Sequence, residues 1–198
     1  MLVYLGGAID YATKEERTKW RDLVSEELKE NDISTYNPAA AFSYTNKNAE
    51  YGITERVKLI NDQAIACSDI AVFVLPRGTN SVGSIVELAM VVKDYPHIPV
   101  VVAVPDVEES SELSAYMIAL LGLVDEEKLG ENETRNYLYI GENAIANMTT
   151  RVAELKADIE HYQSSLIQYD HVGVVEIHDN TERLPLEEIL QLDGADID

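Results

Sequence analysis

Residues 69–104 read DIAVFVLPRGTNSVGSIVELAMVVKDYPHIPVVVAV, and this stretch decides the fold class. The apolar run at 69–75 predicts a buried strand, and the apolar run at 98–104 predicts a second one. Between them, a loop with Pro and Gly at 76–81 is followed by a helical pattern at 83–93. A strand, a helix and another strand in this order predict a parallel βαβ unit.

The same alternation continues on both sides of this unit. The other predicted elements are strand 1–5, helix 13–30, strand 33–36, helix 54–67, helix 113–124, strand 137–140, helix 142–166 and strand 172–177. This order predicts the α/β class, with a single doubly wound (flavodoxin- or Rossmann-like) parallel sheet of about five strands and helices on both faces. We expect residues 1–168 to form this domain and residues 169–198 to form an acidic C-terminal extension.

Composition excludes several classes of function. The chain has 198 residues, of which 36 are acidic and 15 basic, and its formal net charge is −21. This charge argues against a nucleic-acid polymer as partner, whereas a small anionic ligand remains compatible with donors at a helix N-terminus. Without a long apolar run or a signal-peptide pattern, we expect a cytoplasmic protein with no membrane partner. The scattered histidines and the single cysteine predict no metal site, and we expect no cofactor.

Periodicity in two helices predicts which side chains are buried. In the first helix, Thr13 and Glu16 match a capping box. The expected buried face of this helix consists of Trp20, Leu23, Val24 and Leu28. Arg21 is expected at the surface or in a salt bridge. The expected buried face of the helix at 54–67 consists of Val57, Ile60, Ala64 and Cys67.

Three short segments carry candidate functional residues. Tyr4-Leu5-Gly6-Gly7 ends the first strand, and Asp62 lies on the helix before the strand at 69–75. Ser81-x-Gly83-x-x-x-Glu87 follows that strand and opens the next helix. Because parallel sheets bind ligands beyond the carboxyl ends of their strands, we expect these segments, together with Asn37, to surround one crevice.

Glu87 is the most informative of these residues. It lies in the apolar stretch Ile85-Val86-Glu87-Leu88-Ala89-Met90, where a carboxylate is costly unless it has hydrogen-bond partners or a chemical role. The alternative is a structural carboxylate that the dipole of the helix N-terminus favours. Two aspartates, Asp62 and Asp69, precede or begin the strand at 69–75. We expect Asp62 to be the one beside the crevice, because Asp69 begins its strand at the end far from the crevice. A solvated helix residue is the alternative for Asp62.

The combination of Tyr-Leu-x-Gly, an Asp on the helix before a buried strand, and a Gly-x-x-x-Glu-Leu-Ala turn resembles the nucleoside 2-deoxyribosyltransferase family. The resemblance covers roughly residues 1–104 and extends to the related nucleoside 5′-monophosphate N-glycosidases. It implies that Glu87 attacks the anomeric carbon, that Asp62 serves the leaving base, and that Tyr4 orients Glu87. It makes residues 1–168 the catalytic domain and implies a homodimer or higher homo-oligomer. In such a dimer the long helix after Glu142 would close the pocket.

Some positions bear on the substrate. The deoxyribosyltransferases usually carry an Asp where this chain has Ser81, and Ser at this place resembles the monophosphate glycosidases, in which it helps to bind phosphate. The first loop, with Gly6 and Gly7, lacks the Arg of those glycosidases, and Arg77 is the candidate to replace its charge. The alternative for Arg77 is a solvated loop residue.

Four further residues have less specific signals. Tyr44 and Tyr51 are candidates for stacking on a base, and the expected loop or broken helix at 39–51 that carries them would lie over the site. The resemblance suggests Asn143 and Asn147 as residues near the site of a neighbouring subunit, although no motif of this sequence supports them.

The sequence therefore predicts an enzyme that cleaves the N-glycosidic bond of a nucleoside or nucleotide and transfers the sugar to another base or to water. Hydrolysis of a nucleoside 5′-monophosphate is the first alternative. A non-catalytic sensor of a nucleotide or sugar phosphate is the second, but a sensor has no use for both Asp62 and Glu87. A structural protein is the third, and it would leave Gly6-Gly7 and Ser81-x-Gly83 without purpose.

Overall fold

The computed structural model describes residues 1–9, 12–41, 51–78, 81–122 and 136–170. The chain divides into two units, Met1–Asp158 and Ile159–Asp198. All packing discussed below belongs to the first unit. The predicted strand at 172–177, residue Tyr44 and most of the predicted loop at 39–51 lie outside the described residues.

Strands and helices alternate along most of the described chain. The strands are β1 (Leu2–Gly7), β2 (Ser34–Tyr36), β3 (Ile70–Val74), β4 (Val100–Val104) and β5 (Asn136–Ile140). The helices are α1 (Lys14–Glu30), α2 (Pro38–Ala41), α3 (Tyr51–Ala66), α4 (Val82–Asp94), α5 (Ala115–Leu121) and α6 (Ala144–Asp170). A short 3₁₀ turn, Ser110–Glu112, precedes α5.

The five strands form one sheet in the order β2-β1-β3-β4-β5, and every pair is parallel. This confirms the predicted doubly wound α/β fold. The strand order reverses between β1 and β3, and at such a switch point the connections leave in opposite directions and open a crevice at the carboxyl ends. Asp69 lies at the opposite edge, where its side chain accepts a hydrogen bond of 2.7 Å from the Leu2 amide.

Alternation along the strands divides the core into two layers. On one face of the sheet, Tyr4, Ala71 and Phe73 pack in a single cluster with residues of α3, α4 and α5. We call this the α3/α4 face. The intervening residues, among them Val3 and Leu5, are fully buried on the opposite face, which we call the α1/α6 face.

Helix α1 begins as the sequence predicts but buries a different set of residues. The Thr13 hydroxyl accepts from the Glu16 amide while the Glu16 carboxylate accepts from the Thr13 amide, so the capping box is present. The buried residues of α1 are Arg21, Val24 and Leu28, and Leu23 is 57% exposed. The prediction that Arg21 lies at the surface is therefore wrong, and the physical reason is that its guanidinium finds carbonyl acceptors inside the protein.

Helix α3 has the predicted period but a different buried face. Asn61 and Ile65 are buried, whereas Ile60 is 41% exposed and Cys67 is exposed. The expected burial of Cys67 and Ile60 is wrong because polar Asn61, rather than an apolar side chain, occupies the inward position one turn before Ile65. A pattern based on apolar residues alone assigns the wrong phase to such a helix.

The apolar stripe of α6 packs within the chain. Ala144, Met148 and Val152 are fully buried, and Leu155 is 3% exposed. Lys156 donates a hydrogen bond of 2.7 Å to the Asn31 carbonyl, which joins α6 to the end of α1. This stripe is therefore buried within the chain, and the homodimer in which α6 would close the pocket stays a prediction.

Candidate active site

Glu87 is fixed in place by the packing of α4 on the sheet. The helix begins after Ser81, whose carbonyl accepts from the Ile85 amide at 3.0 Å. Ser84, Leu88 and Val91 form the buried stripe of α4. Position 87 lies one turn after the first of these residues and one turn before the last, so its side chain flanks the stripe and turns towards the α3/α4 face.

Two donors hold the Glu87 carboxylate. The Tyr4 hydroxyl, from the middle of β1, hydrogen-bonds to it. The Asn61 side-chain amide, from α3, donates to Oε1 at 3.3 Å. The carboxylate is thus anchored from both the sheet and the neighbouring helix, and its orientation is fixed before any ligand binds.

Burial raises the pKa of Glu87 above 4.5, its ordinary value. The hydrogen bonds from Tyr4 and Asn61 oppose this shift because they stabilise the ionised form, and the charge of Asp62 adds to the shift. Arg21 opposes it by electrostatic attraction. The carboxylate is therefore desolvated yet held by specific donors, which suits a nucleophile.

Asn61 also connects Glu87 to an aromatic pair. The Tyr36 hydroxyl donates to Asn61 Oδ1 at 3.5 Å, and the Tyr36 ring stacks on Tyr4 with centroids 5.9 Å apart and planes 14° apart. Burial, and then the charge of Glu87, raises the pKa of Tyr36. In this orientation the Asn61 amide nitrogen faces the carboxylate. A flipped amide would instead place the Asn61 oxygen against the Glu87 oxygen, and neither atom could donate a proton to the other.

Neither Asn61 nor Tyr36 was singled out by the sequence. Tyr36 occupies the last position of a three-residue strand, and a tyrosine there is compatible with ordinary packing. Asn61 immediately precedes Asp62, and a polar residue at helical spacing from buried Ile65 was the available signal. Reading it requires the correct phase of α3.

Asp62 lies next to Asn61 on α3 and close enough to Glu87 to affect its pKa. Its side chain is 25% exposed and forms an ion pair with Lys58, one turn earlier. That ion pair raises the pKa of Lys58. Asp62 and Glu87 therefore lie in the same region, as the sequence predicts. The ion pair between Asp62 and Lys58 was not predicted.

Gly6 and Gly7 are required by close packing on the two faces of the sheet. A side chain at Gly6 would collide with the Phe73 ring. A Cβ at Gly7 would lie 2.8 Å from the Trp20 ring and 2.9 Å from the Val74 carbonyl oxygen. The Gly7 carbonyl accepts a hydrogen bond of 2.8 Å from the Arg21 guanidinium, so α1 stabilises the end of β1 from the α1/α6 face.

The other predicted binding residues are distributed around the carboxyl edge. Ser81 is buried at the start of α4, and Gly83 is exposed with open space beside it. The Asn37 side chain accepts from the Ala39 amide at 2.9 Å at the start of α2. The Arg77 guanidinium forms an ion pair with Glu112, so its positive charge is already balanced by an acidic side chain in this structure.

Asn143 and Asn147 are exposed at the start of α6, and their place near a neighbouring subunit stays a prediction. The side chain of Tyr51 lies outside the described set. Among the described residues, no group of three or more His, Cys, Asp or Glu side chains is arranged to hold a metal ion. Each described helix is too short or too polar to cross a lipid bilayer.

The protein is thus an α/β protein with a parallel doubly wound sheet and, beside the switch point of that sheet, a partly buried and hydrogen-bonded carboxylate, Glu87. The family model described as nucleoside 2-deoxyribosyltransferase like matches residues 1–107, just over half of the 198 residues. The chain belongs to this family. The resemblance inferred from Tyr4, Asp62 and Glu87 is thereby confirmed at the level of the family.

Solved structures from two bacteria are among those similar to this chain. One is a conserved protein from Enterococcus faecalis V583, with 16% identity and a TM-score of 0.55 over 76% of this chain and 97% of the other. The second is a 2-deoxyribosyltransferase from Bacillus psychrosaccharolyticus, with 15% identity and a TM-score of 0.47 over 60% of this chain and 80% of the other. No curated protein matches the sequence. The Enterococcus structure supports the fold alone.

Proposed function

We propose that the protein cleaves the N-glycosidic bond of a nucleoside or nucleotide, with Glu87 as nucleophile, and transfers the sugar to another base or to water. The observation that carries this proposal is the Glu87 carboxylate, which is held by Tyr4 and Asn61 and desolvated on the α3/α4 face. Membership of the nucleoside 2-deoxyribosyltransferase-like family supports the same chemistry.

In the first step, an oxygen of Glu87 forms a bond to the anomeric carbon while the bond to the base nitrogen breaks. The electron pair of the broken bond leaves with the base, and an ester between the sugar and Glu87 remains. Tyr4 and Asn61 favour the ionised form of the carboxylate and orient it, so that little reorganisation precedes the attack.

The departing base needs a proton, and Asp62 is the candidate donor. In the free protein the Asp62 carboxylate forms an ion pair with Lys58. We therefore propose that the Lys58–Asp62 pair opens when the substrate binds, which lets Asp62 carry the proton that it transfers to the base.

In the second step, a nitrogen of an acceptor base or a water molecule attacks the same carbon and releases Glu87. Asp62, now ionised, accepts the proton of this nucleophile. Two displacements at one carbon retain its configuration. The same residues thus serve both transfer and hydrolysis, and the acceptor that reaches the ester decides between them.

Hydrolysis of a nucleoside 5′-monophosphate is the second candidate, and Ser81 is the observation in its favour. Ser81 is a buried neutral residue at the N-terminus of α4, where a phosphate would meet backbone donors. Because Arg77 is paired with Glu112, phosphate binding would depend on these donors unless that pair opens.

The proposal is tested by incubating the protein with a panel of ribo- and deoxyribonucleosides and their 5′-monophosphates, with and without an acceptor base. Chromatography of the products identifies the substrate and the acceptor. Glu87→Gln should lower turnover by several orders of magnitude, because it removes the nucleophile. Glu26→Gln, an exposed Glu on α1, is the matched control and should retain activity.

Mass spectrometry of protein quenched during turnover should show a pentose on Glu87, with its phosphate when the substrate is a monophosphate. An adduct on another residue, or full activity in Glu87→Gln, would show that the wrong carboxylate was assigned. Binding of a nucleotide without release of its base would favour the sensor. We also propose that the protein acts in nucleotide metabolism in the cytoplasm. We further propose that it is a homodimer, and sedimentation tests this oligomeric state.

A further inference from the structure

A cavity of about 590 Å³ lies at the carboxyl edge of the sheet on the α1/α6 face. Ala8, Val74 and Pro105, which belong to or follow β1, β3 and β4, contribute to it from the sheet, and α1 and the start of α6 contribute the rest. We call it the α1 cavity. Tyr4 and Glu87 are not among its lining residues, because their side chains lie on the α3/α4 face. It is therefore a feature that the proposed reaction at Glu87 does not use.

The lining of the α1 cavity fits a flat apolar molecule. Trp20, Leu23 and Ile145 line it from the two helices, and Val74 and Pro76 line it from the sheet edge. A volume of this size falls in the range of roughly 300–1,000 Å³ typical of small-molecule sites, which are mainly apolar. An indole ring in such a wall favours stacking with another planar ring.

Trp20 is held in a fixed position by the residue that follows it. The guanidinium carbon of Arg21 lies 4.5 Å from the centre of the Trp20 ring. Arg21 is itself fully buried and donates to the carbonyls of Leu5 and Gly7. The indole therefore rests against an immobilised cation, and binding a ligand on it requires little ordering of side chains.

The charged groups at the rim disfavour an anion. Glu15 and Glu16 are both lining residues, and Lys19, the lysine among the described lining residues, lies 3.8 Å from the Glu15 carboxylate. The formal charge of the whole chain is −21. A phosphate or carboxylate would therefore meet repulsion here, whereas an uncharged ring would not.

We propose that the α1 cavity is a second binding site, separate from Glu87, for an uncharged planar heteroaromatic molecule of the free-nucleobase class. The choice of nucleobases within this class rests on the proposed function, because cleavage at Glu87 releases such a base. Binding itself depends on the cavity and on Trp20, and does not require that the protein be catalytically active.

The sequence contains a single tryptophan, so its fluorescence reports on this cavity alone. The experiment is a titration of the full-length protein with adenine, thymine and AMP, with excitation at the red edge of the indole absorption, where the ligands do not absorb. Leu23→Glu places a carboxylate in the lining, and Leu59→Glu makes the same change on α3. Leu23 and Leu59 are similarly exposed, at 57% and 59%, which makes the two variants a matched pair.

We expect a saturable fluorescence change with at least one of the bases, in the wild type and equally in Glu87→Gln. The apparent dissociation constant should be larger in Leu23→Glu by roughly tenfold or more, because the bound ring and the new carboxylate compete for the same space. Leu59→Glu should bind as the wild type does. AMP should bind more weakly than adenine.

The proposal is overturned if neither base gives a saturable change, if AMP binds as well as adenine, or if Leu23→Glu and Leu59→Glu behave alike while their circular dichroism matches that of the wild type. Loss of binding in Glu87→Gln would also overturn it, since it would place the base at the site already described. Failure of the proposed function has a different signature, namely an absence of cleavage products while the Trp20 titration still saturates.

Discussion

At the scale of residues, the pKa of Glu87 is determined by opposing effects of its neighbours. Burial disfavours the ionised carboxylate, while donors from Tyr4 and Asn61 favour it. A nucleophile must be ionised, so activity should rise with pH as Glu87 loses its proton. Because burial raises this pKa, the rise should occur above the range of an ordinary glutamic acid.

Asn61→Ala tests the contribution of the amide donor. It removes a hydrogen bond to the ionised form, so the pKa of Glu87 should increase further and the acid limb of kcat/KM should move to higher pH. Asn31→Ala, at the end of α1, should leave the limb in place. A lower kcat in Asn61→Ala with an unchanged acid limb would show that Asn61 does not act on the protonation of Glu87.

At the scale of elements, α3 shows how one polar residue decides which helix face is buried. Asn61 faces the core because Glu87 and Tyr36 supply its partners there, and this orientation buries Ile65 and exposes Ile60. The cost of burying an amide is offset when its hydrogen bonds are made. The functional network and the packing of the helix are therefore coupled.

The phase of α3 is tested with two equivalent truncations. Ile65→Ala should reduce the free energy of unfolding by about 2–5 kcal/mol, because Ile65 is fully buried. Ile60→Ala should change it by no more than about 0.5 kcal/mol, as is usual for exposed positions. Urea denaturation measures both values. Equal losses in the two variants would contradict the observed orientation of the helix.

At the scale of the whole molecule, the net charge of −21 works against compactness. Salt should weaken this repulsion, since the Debye length falls from about 30 Å at 0.01 M to about 8 Å at 0.15 M ionic strength. We therefore expect Tm to rise when KCl is added from low to physiological ionic strength. Choline chloride should act in the same way if screening, rather than cation binding, is the cause. A constant or falling Tm would contradict this explanation.

The sequence alone determined the architecture, and it singled out Glu87, whose catalytic role stays a proposal. The apolar run at 69–75 and the other apolar runs predict a parallel sheet, because strands that are buried on both faces are apolar at every position. Glu87 was identifiable because a carboxylate within an apolar helical stretch is costly without partners. These signals are local, so they are visible without coordinates. The boundary predicted between residues 168 and 169 stays a prediction.

The tertiary structure alone decided which polar residues are buried together. Arg21 and Asn61 are polar residues whose burial depends on partners from elements far away in the sequence. Their patterns in the sequence match those of solvated surface residues, which is why the phase of α3 and the location of Arg21 were predicted incorrectly. A buried polar group is stable only with its acceptors and donors in place, and those are known only when the strands and helices have been assembled.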